Sequence, residues 1–116
     1  MLSLIAAGLL AAAGGQVAVS TTEVADLRCF AAFSVKISEL GAAQPDRARD
    51  LQSGVLYFAG KLFGRNPGID LVKVLPDSFV GFDKPEAVNT ELLHCADELQ
   101  AIGERLDTAG KAIEGK

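Results

Sequence analysis

Tyr57, Lys61 and Arg65 stand at i, i+4 and i+8, so a helix through this stretch carries an aromatic ring and two cations on one face. The turn Asn66-Pro67-Gly68 follows directly. Such a trio at a helix C-terminus is suited to grip a carboxylate, a phosphate or an acidic partner segment. The plainer reading is a solvated face whose cations complement the helix dipole, worth ~0.3–1 kcal/mol with no ligand. This face is the candidate partner or anion contact.

Other combinations carry less chemistry. Glu91 and Glu98 are seven apart and share a helical face. Paired carboxylates do acid–base work only in a cleft that shifts their pKa, and the expectation here is a solvated acidic face. His94 is the single histidine, and no Gly-x-Ser-x-Gly elbow offers it a nucleophile. Gly54 to Lys61 fails as a phosphate loop, because five residues separate Gly54 from Gly60 and Leu62 stands where Ser or Thr would hold magnesium. Gly60 and Gly64 form a Gly-x-x-x-Gly spacing, which predicts close packing of a neighbouring helix. These readings predict no enzyme, no catalytic residues, no cofactor, no nucleotide and no metal.

Two cysteines remain, Cys29 and Cys95, with no Cys-x-x-Cys. Both fall on or beside apolar helical stripes, so both point inward. His94 adjoins Cys95, but helical neighbours point ~100° apart, so the two cannot face one metal. In an oxidising compartment the pair should bond. That closes a loop of ~67 residues, worth ~4 kcal/mol in chain-entropy terms, against the ~5–15 kcal/mol of a small domain. Two buried free thiols acting as small hydrophobes, or redox or metal chemistry, are the alternatives.

The compartment is read from the start of the chain. Of 116 residues, 11 are basic and 15 acidic, and all of these lie at or beyond Glu23. The run Leu2 to Ala13 is nearly all apolar and matches the ~7–15-residue core of a secretory signal. Small residues follow, with cleavage expected after Ala13 or Ser20, although no Lys or Arg opens the segment. A spanning helix needs ~20 apolar residues, and Gly8, Gly14, Gly15 and Gln16 shorten this one. Residues 1–20 therefore read as a signal peptide and 21–116 as a helical domain. An uncleaved anchor or an ordinary first helix are the rival readings, and membrane contact is expected only if 1–20 stays attached. A net charge of −4 with scattered cations argues against nucleic acid.

The elements that position these residues read as helices. Ser20-Thr21-Thr22-Glu23 is a capping-box pattern. It opens a helix from about Thr22 to Leu40 with Val24, Leu27, Phe30, Phe33, Ile37 and Leu40 at helical spacing. Pro45 and Asp46 open a second helix, with Leu51, Val55, Phe58, Ala59 and Leu62 apolar, closed by Gly64 and the following turn. Ile69 to Leu75 fits a short helix or a strand, stopped by Pro76. The segment Asp77–Asp83 reads as a loop whose Phe79, Val80 and Phe82 plug the bundle. Asp83-Lys84-Pro85-Glu86 is a second capping pattern before the last helix. That helix alternates three and four along Val88, Leu92, Cys95, Leu99, Ile102, Leu106, Ala109 and Ile113. Gly103 and Gly110 flank this seam at ~1 kcal/mol each in helix propensity. The predicted fold is all-α: a small antiparallel bundle of three long helices plus one short helix or plug, with one inter-helix disulfide.

Arg28-Cys29-Phe30-Ala31-Ala32-Phe33, then Tyr57-Phe58-Ala59-Gly60-Lys61-Leu62 with Gly64-Arg65 and Pro67-Gly68, then Cys95 with Leu99, Gly103 and Leu106, resemble a group of uncharacterised small secreted helical proteins of alphaproteobacteria. The resemblance implies export and a cysteine pair. It implies no catalytic motif. The layout is also similar, more loosely, to periplasmic acid-stress chaperones of the HdeA type, which are small, exported, helical and disulfide-bonded. The function expected is a non-enzymatic exported helical module of the periplasm or envelope that binds a protein or envelope component. The alternative is a periplasmic stress chaperone, since neutralising fifteen carboxylates below pH ~4 leaves a positive, loosened bundle.

Overall fold

A computed structural model describes residues 19–115. The signal reading falls almost wholly on residues 1–18, outside the described residues. Four α-helices and one 3₁₀ turn make up the described chain, with no strand among the described residues: α1 Thr21–Leu40, α2 Pro45–Arg65, α3 Leu71–Ser78 and α4 Pro85–Glu114.

The start of α1 is the expected capping box. Ser20 Oγ accepts from the Glu23 N–H at 3.1 Å, and Glu23 Oε1 accepts from the Ser20 N–H at 2.8 Å. Gly41 ends the helix at φ 42°, a left-handed conformation that favours glycine. Asp70 decides the ambiguous segment, because its carboxylate accepts from the Val72 N–H at 3.1 Å and starts α3 as a helix. Pro76 does not stop α3, which continues to Ser78. Pro76 removes one donor from so short a helix rather than ending it. The second capping pattern is not formed either. Lys84, not Asp83, occupies the cap position of α4, with no side-chain hydrogen bond, and Pro85 at the first turn sets the helical φ.

The hub is α1, whose backbone runs close to α2, α3 and α4, while those three meet one another mainly through side chains. Its Cys29 and Phe33 join Phe58 and Cys95 in the central cluster. Ala31 and Ala32 admit Val88 and the loop residue Phe82. Leu27 meets Leu62 and Ile69 beneath α3. Only Phe82 of the expected plug is buried; Phe79 and Val80 are exposed. Cys29 and Cys95 form a disulfide, S–S 2.04 Å, closing 66 residues of separation between α1 and α4.

One expectation about glycine and one about α4 are corrected. Gly60 and Gly64 are exposed, and a Cβ at either would meet nothing within 4 Å, so that spacing serves no helix packing among the described residues. Close approach happens one and a half turns earlier, where a Cβ on Gly54 would lie 2.7 Å from the Phe33 ring. The seam of α4 is also shorter than its periodicity predicts. Val88 and Cys95 are buried and Leu92, Leu99 and Ile102 half-buried, but Leu106 is 68% and Ile113 72% exposed.

Candidate functional site

The Tyr57 face turns inward, onto α1 and α4. Lys61 Nζ donates to Asp26 Oδ1 at 2.9 Å and to Glu98 Oε2 at 2.5 Å. Tyr57 Oη donates to the same Glu98 oxygen at 2.6 Å. The lysine also lies 5.6 Å from the Phe58 ring centre and 5.7 Å from that of Tyr57. Arg65, one turn on, is exposed and forms no ion pair among the described residues. Its charge is felt at Glu23 and Glu98.

The disulfide sets this geometry. Asp26 lies one turn before Cys29, and Glu98 one turn after Cys95. With α1 and α4 antiparallel, both carboxylates come to the same side of the Cys29–Cys95 bridge, where Lys61 reaches from α2. The α2 and α4 backbones stay apart, so this long-armed contact ties the two helices beside the packing of Phe58 on the disulfide. Asp26 is 3% exposed, and its Oδ2 has no hydrogen-bond partner among the described residues. An orphaned buried acceptor costs ~1–3 kcal/mol, and Lys61 on the other oxygen offsets that cost.

Each group of the clamp is held in its ordinary protonation state. Burial opposes charge on Lys61, but the hydrogen bonds it donates to Glu98 and Asp26, with their negative charge, outweigh it and raise its pKa above the usual lysine value. Burial likewise opposes charge on Glu98, yet Lys61 and Tyr57 outweigh it and hold its carboxyl below the usual range. Burial, then Glu98, pushes the Tyr57 phenol up. Lysine stays an ammonium, tyrosine a phenol and Glu98 a carboxylate near pH 7. The cluster is therefore a clamp of one ammonium held between two acidic side chains and a phenol.

Glu91 and Glu98 do share a face, as their spacing predicts, but it is not solvated. Glu91 is half-buried and pairs with Arg28 at 3.8 Å. Arg28 also donates to the carbonyls of Ser78 at 3.1 Å and Val80 at 2.6 Å, and its guanidinium lies 3.9 Å from the Phe82 ring centre. One arginine thus fastens the α3–α4 loop to α1. Glu91 Oε2 also lies 3.8 Å from Cys95 Sγ. A disulfide sulfur carries no proton, so this contact is not a hydrogen bond. Cys29, Glu91 and Cys95 offer three ligand atoms within 4.8 Å of one another, but both sulfurs are spent on each other and cannot serve as thiolates.

Sequence reasoning missed Asp26 and Arg28. The signal for Asp26 was present: it lies three before Cys29 and seven before Phe33, a charge on the inward stripe. Such a residue demands a cation from another helix.

Two openings adjoin the clamp. A cleft of about 340 Å³ lies between α1 and α4, lined by Asp26, the disulfide, exposed His94, Asp97 and Glu98. A groove of about 550 Å³ lies on the other side, where α1, α2 and α4 diverge. Phe33, Leu51, Leu92 and Leu99 wall it, Leu93 stands 72% exposed at its lip, and Lys36, Arg47 and Asp50 edge it. No protein-family model, curated protein or solved structure matches this chain. No described helix is long and apolar enough to cross a membrane.

Proposed function

We propose that this chain is an exported, non-enzymatic helical binding module whose partner is a protein or envelope component. The observation that carries this reading is the apolar groove among α1, α2 and α4. Its size suits one or two apolar side chains, and its edge carries two cations to one carboxylate on a chain of net charge −4. Lys36 bonds Glu39 and Asn89, while Arg47 is exposed and forms no ion pair among the described residues. The segment that fits presents an apolar side chain beside a carboxylate. Arg65 is the exposed cation of the Tyr57, Lys61 and Arg65 face and extends the contact surface; Tyr57 and Lys61 serve it as frame. The disulfide supports an oxidising compartment, hence export. The spent polar groups of the clamp support a structural role for it.

The test is site-specific photo-crosslinking in cells from position 93, with position 38 on exposed α1 surface as control. A discrete adduct from 93 alone, lost on Arg47→Glu with unchanged melting temperature, supports the reading. Adducts equal at both positions, or insensitive to Arg47→Glu, remove the groove from consideration.

One observation favours an acid-stress chaperone as the second reading. The joint of α1, α2 and α4 is a lysine between two carboxylates. Protonation of Glu98 releases the Lys61–Glu98 half of the joint and loosens α2 from α4, while the disulfide keeps α1 and α4 tied. Suppression of aggregation of an unrelated periplasmic protein at pH 2–3 tests it, and none at molar excess ends it.

A further inference from the structure

One carboxylate oxygen beside the bridge gains nothing from it while the bridge is closed. Glu91 turns its Oε2 toward Cys95 Sγ at 3.8 Å, and a bonded sulfur has no proton to give it. Its other oxygen, Oε1, faces the Arg28 guanidinium at 3.8 Å. Arg28 is itself held by the carbonyls of Ser78 and Val80 and by the Phe82 ring, so it steadies the carboxylate in that attitude. Cys29 Sγ, Cys95 Sγ and a Glu91 oxygen all lie within 4.8 Å of one another. Opening the bridge changes what these atoms are. A dithiol reductant passes two electrons and two protons to the sulfurs and leaves as its own disulfide. Two thiols then stand beside a carboxylate.

We propose that the reduced chain binds one zinc ion through Cys29, Cys95 and Glu91. The ion displaces both thiol protons, so two thiolates and one carboxylate hold it and two protons are released. Zn–S bonds of ~2.3 Å and a Zn–O bond of ~2.0–2.2 Å set tetrahedral neighbours ~3.6–3.8 Å apart. Glu91 Oε2 and Cys95 Sγ already have that spacing. The Cys29 and Cys95 Cα atoms are 5.8 Å apart, so rotation about the side-chain bonds brings the two sulfurs to it as well. A thiolate pair is soft and selects zinc over magnesium or calcium. Two positive charges against three negative leave one negative, which Arg28 cancels. That balance suits cysteines only 5% and 1% exposed. Arg28 is the outer partner that orients Glu91. The cleft of about 340 Å³ opens onto both cysteines and supplies the way in and a water for the fourth position. Asp26, Asp97 and Glu98 along it make the approach acidic, which draws a cation. His94 also lines the cleft but points ~100° from Cys95 around α4 and stays outside the set. Bridge and metal exclude each other, so the site opens only where a reductant reaches the chain.

The test is titration of the phosphine-reduced protein, freed of reductant under argon, with Co²⁺ and then Zn²⁺, beside the oxidised protein. The reduced protein should give a thiolate-to-cobalt charge-transfer band that saturates at one equivalent and is bleached by Zn²⁺, and the oxidised protein none. Zn²⁺ should raise the melting temperature of the reduced protein, or restore its helical circular dichroism where reduction alone unfolds it. Cys95→Ser should lose the band. Glu91→Gln should keep it and weaken binding at least ~tenfold, since losing a ligand costs no less than losing its outer support. His94→Ala should bind as wild type. No band from the reduced protein overturns the proposal, as does saturation at half an equivalent, with the metal between two chains, or a band with no gain in melting temperature or helix. Binding insensitive to Glu91→Gln, or lost on His94→Ala, overturns this ligand set. The groove at Leu93 and Arg47 is tested in the oxidised protein, so the two readings stand or fall separately.

Discussion

The two halves of α4 have the same periodicity and opposite surroundings. From Val88 to Leu99 the apolar row meets α1 and α2, and Cys95 within it is 1% exposed. From Gly103 onward the row keeps its register and meets solvent. Length makes the difference. α4 has 30 residues and α1 has 20, so at 1.5 Å per residue α4 outreaches its main partner by roughly 15 Å. An amphipathic pattern therefore states which face of a helix wants cover. It does not state whether the chain has enough helix to cover it.

The largest effect that would break this contrast is loss of the staple in the packed half. C29A/C95A should lower stability by ~4 kcal/mol through the longer freedom of the unfolded chain, read as a shifted urea midpoint. A smaller shift would mean that the unfolded chain without the bridge still keeps these segments near one another.

The clamp should matter about as much. Lys61→Met strands Asp26 as a buried unpaired carboxylate and should cost ~3–5 kcal/mol at pH 7. Its acid dependence sharpens the point. Glu98 has a lowered pKa in the folded state, so its contribution is present above the unfolded value of ~4.3 and fades as pH falls through the folded value. Glu98→Gln should thus be less stable than wild type at pH 7, with the gap closing as pH falls below 4. A constant gap would show that Glu98 acts through packing and not through charge.

Glycines probe the packed and open surfaces separately. Gly54→Ala drives a methyl into the Phe33 ring and should cost ~1–3 kcal/mol. Gly60→Ala, six residues on and open to solvent, should be neutral or gain up to ~1 kcal/mol of helix propensity.

The smallest effects belong to the last turns of α4. Leu106→Ala should change stability by less than ~0.5 kcal/mol, as exposed substitutions do. Amides of residues 104–114 should exchange with deuterium far faster than those of 88–99. Slow exchange there would mean that this end of the helix is covered after all.

Much of the frame was legible in local chemistry. Ser20 with Glu23 marks the start of α1, Pro45 that of α2, and the three–four steps mark which faces are apolar. These signals act within a few residues, so they are readable without a fold. Cys29 and Cys95 were readable as a pair because both lie on apolar stripes. The partners of charged groups were not legible in the same way. Asp26, Glu98, Tyr57 and Lys61 come from three helices, up to 72 residues apart, and only the register set by the disulfide brings them to one point. Gly54 and Gly60 look alike in sequence, and only the Phe33 ring tells them apart. Residue types and spacing determined the helices, their faces and the cysteine pair, because backbone hydrogen bonding and side-chain periodicity are local. Tertiary structure alone decided which charges meet, which glycines are crowded and where the seam of α4 runs out of cover, because these depend on the relative lengths and register of helices far apart in the chain.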